Sequence, residues 1–187
     1  WKPKNADGRY LGPIPLSTAL ASSRNMVSIR LLQSIGNDYF RSYAERFGFE
    51  GSRIDKYLTV ALGAIEVTPY QLVGAYGAFA NGGYRVDPYL ITKVVDRDGK
   101  TILEAQPRKS GDEKNRIITK ENAAMVDSLL KGVVRSGTAR AAQALGRSDI
   151  AGKTGTTNDS VDAWFAGYQP NLVGVAWMGF DTGNKSL

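Results

Sequence analysis

Histidine and cysteine are both absent from this 187-residue chain. A Ser-His-Asp triad, a Cys-His nucleophile pair, the common zinc ligand sets and disulfides are therefore excluded at once. Any catalysis has to run on serine, threonine, lysine, tyrosine or carboxylates. The lack of cysteine is compatible with an oxidising compartment such as a periplasm. Long apolar runs are missing too: nothing reaches membrane-spanning length or has the form of a signal peptide, so attachment to a membrane would need residues elsewhere. The start at Trp1, without an initiator methionine, points to a longer parent.

Charge of one sign is not concentrated either. Lysine plus arginine number 24 against 18 aspartates and glutamates, and apart from Lys2 to Lys4 and Arg108 to Lys120 the basic residues are scattered. Such a balance reads as a solvated surface, and no nucleic-acid partner is expected. Asp159, Asp162 and Asp181 lack ligand spacing and read as loop carboxylates or caps, so neither a metal nor a cofactor is expected. What the chain has is apolar material, 42% of residues, enough at this length for one domain with a sizeable core.

Residues 1–15 are rich in proline, glycine and asparagine and read as an extended loop. Leu16 to Gly36 turns helical, but Ser22-Ser23-Arg24-Asn25 competes for backbone hydrogen bonds and is expected to split it into two helices. Further helices are expected at Asp38 to Phe47, Thr68 to Asn81 and Lys120 to about Val134. Leu90 to Glu104 reads as a hairpin turning at Asp98-Gly99, and Gln106 to Arg116 as loop. Three consecutive antiparallel strands follow: Ile150 to Thr156, Ala163 to Tyr168 and Leu172 to Phe180. Tyr70, Tyr76 and Phe79, at helical spacing, are expected in the core, as is Phe165. Trp164 suits either the core or a substrate cleft.

The run Ala151-Gly152-Lys153-Thr154-Gly155-Thr156-Thr157 carries the clearest chemistry. Glycines at a strand edge let a substrate backbone come close, and threonine hydroxyls with an ammonium can hold a carboxylate. Alone, Lys-Thr-Gly also reads as a surface turn, and Ser22 to Asn25 as a helix cap or break. Together, a Ser-x-Asn at Ser23 and Asn25 and a later Lys-Thr-Gly on a strand belong to penicillin-recognising serine enzymes. The blocks Leu16 to Leu32, Ala61 to Gly83, and Gly152 to Thr157 followed by Asp162-Ala-Trp-Phe-Ala-Gly167, in that order, resemble the transpeptidase domain of bifunctional class A penicillin-binding proteins over nearly the whole chain.

That resemblance implies an α/β fold of the penicillin-binding transpeptidase and serine β-lactamase type, with helices packed on an antiparallel sheet that is incomplete here. Residues 1–187 would be a C-terminal part of the domain. It implies catalytic places for Ser23 in proton relay, for Lys153 as the positive charge beside it, and for Thr156, whose N–H forms half of an oxyanion hole. Asn25, Thr154, Gly155, Thr156 and Thr157 would form the substrate-binding set. The partners implied are peptidoglycan stem peptides ending in D-Ala-D-Ala, β-lactam antibiotics and the upstream part of the same domain. The place implied is the periplasmic face of the bacterial inner membrane, with a glycosyltransferase domain and an anchor in the parent.

The family's nucleophile comes from a Ser-x-x-Lys that precedes Ser-x-Asn. The one match here, Ser128-Leu-Leu-Lys131, follows it and falls in a regular amphipathic helix. The attacking serine is accordingly expected upstream of Trp1. Two alternatives stay open: a D,D-carboxypeptidase or β-lactamase of the same fold, and a noncatalytic binding or scaffolding piece.

Overall fold

A computed structural model describes residues 1–182 and 185–187. The first helical stretch breaks where its sequence predicts. Helix α1, Leu16–Ala21, ends in a Schellman turn: the N–H of Arg24 donates to Ala19 O at 2.8 Å and that of Ser23 to Leu20 O at 3.1 Å. Ser23 takes the left-handed position of that turn, φ 50°, where glycine is the usual occupant. Helix α2, Asn25–Ile35, restarts at once and buries Ile29 and Leu32.

Helix α3, Asn37–Arg46, and two 3-10 turns, Gly51–Arg53 and Leu58–Leu62, pack beside α2. Their common core is Leu32, Ala44, Ile54 and Val60, backed by Phe40 and Phe49. Helix α4, Pro69–Ala80, starts on a capping box in which Thr68 Oγ1 accepts from Gln71 N at 3.2 Å and Gln71 Oε1 accepts from Thr68 N at 2.9 Å. Such a cap contributes about 1 kcal/mol. Strands β1, Lys93–Val95, and β2, Thr101–Glu104, form the expected hairpin, and all their residues are exposed.

Helix α5, Lys120–Ser136, lies against a three-stranded antiparallel sheet of β3, Ala151–Thr156, β4, Asp162–Gln169, and β5, Leu172–Gly179, ordered β3-β4-β5. Leu130 of α5 packs on Ala151 and Tyr168, with Tyr76 and Phe79 of α4 closing the group. Val133, Val134 and Ala139 form a neighbouring cluster that takes in Phe165. Leu20 touches both clusters, so the end of α1 is fixed against α5 and the sheet together. That packing holds the Ser23 turn beside β3.

Helices packed on an antiparallel sheet are the architecture expected; most element ends differ by one or two residues, as helix and strand ends do, while the hairpin expected from Leu90 starts its first strand at Lys93, three residues later. One expectation fails: Tyr70 is 49% exposed. It stands in the first turn of α4, and its hydroxyl reaches out to the carbonyl of Pro88; a ring tied to a loop carbonyl at the rim does not enter the core. Among the described residues no helix is long and apolar enough to cross a membrane.

Candidate active site

Ser23 and Asn25 stand on the turn between α1 and α2, and the N-terminal loop buttresses that turn. Asn5 is buried, accepts from Met26 N through Oδ1 at 3.2 Å and donates through Nδ2 to Arg9 O at 2.6 Å. Arg24 clamps Asp7 with both carboxylate oxygens at 2.7 Å. That hydrogen bond, the largest cause, holds the Asp7 carboxyl below its ordinary value. Asn25 Nδ2 donates to Lys4 O at 2.9 Å. The proline- and glycine-rich opening thus acts as a brace, a role its composition does not announce.

The opposing wall is β3, which has β4 on one side and, among the described residues, no strand on the other. Gly152 has no room for a side chain: a Cβ there would fall 2.6 Å from the Phe165 ring. Lys153 extends across the gap. Its Nζ donates to Ser23 Oγ at 3.0 Å and to Thr154 O at 2.8 Å. Burial lowers the pKa of this lysine, because a half-buried ammonium gives up hydration. Among the described residues two of its three donors are used, which leaves the third for a ligand anion.

Thr154 turns its hydroxyl to Thr138, with the two oxygens 2.6 Å apart. Sequence reasoning missed Thr138, which lies in a Ser-Gly-Thr turn after α5 and makes its contact only through the tertiary fold. Gly155 faces Trp164 across the ladder and Thr156 faces Ala163; Thr156 and Thr157 are exposed at the strand's end. Thr157 is held by the start of β4, its Oγ1 accepting from Asp162 N at 2.7 Å. Asp162 in turn accepts from Trp177 Nε1 at 2.8 Å, and the Trp177 ring stands 6.1 Å from that of Trp164. Trp164 therefore forms an aromatic rung with Trp177 on the strand beside Gly155.

The structure brings Ser23, Lys153 and Thr154 together and places Asn25, Gly155, Thr156 and Thr157 on the surrounding turn and strand. It does not add Ser128 and Lys131 to them as a nucleophile pair. Ser128 is exposed on α5, and Lys131 is bound at 2.8 Å by Asp127, one turn earlier on the same helix. The arrangement can bind a carboxylate, hold an anionic oxygen beside Gly155 and Thr156, and pass a proton through Ser23.

The family described as the penicillin binding protein transpeptidase domain matches residues 1–180. Penicillin-binding protein 1A of Neisseria meningitidis serogroup A is 51% identical over 181 residues, which is 97% of this chain and 23% of that protein. The crystal structure of penicillin-binding protein 1A from Haemophilus influenzae superposes with a TM-score of 0.87 at 34% identity, over 100% of this chain and 33% of that one. An imipenem acyl-enzyme complex of penicillin-binding protein A from Mycobacterium tuberculosis shares the fold, with a TM-score of 0.70 at 22% identity over 92% of this chain and 44% of that one. The chain thus spans about a quarter of the length of the curated relatives it matches.

Proposed function

Since the chain belongs to the penicillin-binding protein transpeptidase family, whose general work is peptidoglycan cross-linking, we propose that residues 1–187 are a C-terminal part of such a domain. They supply two walls of its cleft. A serine outside these residues attacks the carbonyl between the two D-alanines of a stem peptide, forming an ester as the C–N bond to the terminal D-alanine breaks. Ser23 carries the serine's proton to the departing amine. An amine of a neighbouring strand then displaces the ester and regenerates the serine. Each step is a redox-neutral acyl transfer.

The observation that carries this reading is the 3.0 Å contact from Lys153 Nζ to Ser23 Oγ. It sets an ammonium against the relay hydroxyl and leaves a donor for the terminal carboxylate. Thr154 and Thr156 add hydroxyls to that carboxylate. The Thr156 N–H faces the developing oxyanion, a contribution of roughly 3 to 4 kcal/mol in comparable sites. Asn25 holds an amide of the peptide. β-Lactams acylate the same serine, and the longer protein works at the periplasmic face of the inner membrane, anchored outside this segment.

A fluorescent penicillin tests the reading. The isolated chain should remain unlabelled, because Lys131 of its only Ser-x-x-Lys is bound to Asp127. The complete protein should become labelled, and far more slowly on Lys153→Ala. Covalent labelling of residues 1–187 alone would overturn the external nucleophile. A labelled product that turns over to water as fast as to an amine acceptor would favour a carboxypeptidase or β-lactamase.

A further inference from the structure

Thr138 contacts both walls of the cleft. Its backbone N–H donates to Ala21 O at 3.0 Å, two residues before Ser23, while its hydroxyl meets that of Thr154 at 2.6 Å. Gly137 seats the turn: a Cβ there would fall 2.2 Å from the same Ala21 oxygen, so only glycine lets the two backbones approach this far. Thr138 is therefore fixed through its main chain on the Ser23 side and through its side chain on the Lys153 side.

Each threonine hydroxyl owns one proton and can accept at its lone pairs. In the Thr138–Thr154 pair one proton lies in the bridge and one is free. If Thr154 donates to Thr138, it has nothing left for an anionic ligand. If Thr138 donates, the Thr154 proton is free for a carboxylate, and the bridge polarises it for that bond. We propose that Thr138 is a positioning residue for acylation: it donates to Thr154, fixes its rotamer and directs its proton at the ligand carboxylate. This rests on the proposed role of Thr154 in carboxylate binding.

The test uses the complete protein and two acylating probes, a penicillin with its free carboxylate and the methyl ester of the same penicillin. Thr138→Val should slow acylation by the acid about 10- to 100-fold, the range for losing a hydrogen bond to a charged group, and leave the rate with the ester as it is in the unsubstituted protein. Thr138→Ser, which restores the hydroxyl, should recover the rate with the acid. In a Thr154→Val background, Thr138→Val should cost nothing further. Equal losses with acid and ester, or additive losses in the double variant, would overturn the proposal by showing a merely structural role. The reading beneath it fails separately, if Thr154→Val itself leaves the acid's advantage over the ester intact.

Discussion

The ammonium of Lys153 lies 3.0 Å from the hydroxyl of Ser23, although the two residues are 130 positions apart in the chain. Burial places the pKa of this lysine below the ordinary 10.5, and the sign of that shift has two opposite consequences. As pH rises through the lowered value, the ammonium is lost and acylation by carboxylate-bearing penicillins should fall, on an alkaline limb that begins earlier than a free lysine would give. Stability should move the other way. The unfolded chain holds the proton up to 10.5 while the folded one has released it, so this group's contribution to stability rises across the window and is lost as pH falls through the folded value. Acylation rate and melting temperature, followed together from neutral to alkaline pH, check both signs. In Lys153→Ala the alkaline limb should disappear from what activity remains.

Ser23 holds a left-handed backbone, φ 50°, which a residue with a Cβ adopts at a cost of about 1 kcal/mol. Backbone strain kept at a functional hydroxyl separates stability from activity. Ser23→Gly and Ser23→Ala both remove the hydroxyl, and both should lower acylation by about 100- to 10,000-fold, the range for a lost proton-transfer group. The glycine variant should nonetheless be the more stable of the two by about 1 kcal/mol. Denaturant melts of the pair decide it: equal midpoints would remove strain from the account.

Much of this fold is written locally. Thr68-Pro69 announces the start of α4, and the capping box with Gln71 is there; apolar spacing after Lys120 yields α5; short apolar runs divided by Asn158 to Ser160 and Gln169 to Asn171 yield the sheet. The Ser22 to Asn25 break is legible because short polar side chains rival the helix for its backbone groups. What escapes the sequence is set by contacts between distant residues. The short 3-10 turns Gly51–Arg53, just before Ile54, and Leu58–Leu62, which holds Val60, obey no period and close the core around Leu32. Thr138 meets Thr154 only because α5 ends against α1, and Asp162 meets Trp177 only across a strand pair. Tyr70 has the right spacing for the core but the wrong end of the helix.

Two glycines near the end of α5 should respond in opposite directions. A Cβ at Gly132 meets nothing within 4 Å, so Gly132→Ala removes a weak helix former and should add up to about 1 kcal/mol. A Cβ at Gly137 meets backbone, 2.2 Å from Ala21 O, and neither partner can swing aside. Gly137→Ala should cost about 1 to 3 kcal/mol, the usual penalty for overpacking. It should also slow acylation, since the displaced turn carries Thr138. A melt and a labelling rate for each variant check this; Gly137→Ala with unchanged labelling would detach the turn from the site.

The last strand lies at an edge of the sheet. On β5 and just beyond it, Leu172, Met178 and Phe180 are 65%, 61% and 46% exposed, beside an edge that pairs with no further strand among the described residues. Unpaired N–H and C=O groups flanked by large apolar side chains form a template for another strand. The isolated chain should therefore associate in a concentration-dependent way, and Met178→Lys should weaken that association, because a charge on an exposed edge resists pairing. Sedimentation of both across a concentration series is the measurement. A monodisperse monomer of the unsubstituted chain at every concentration would show that the edge is satisfied without a partner strand.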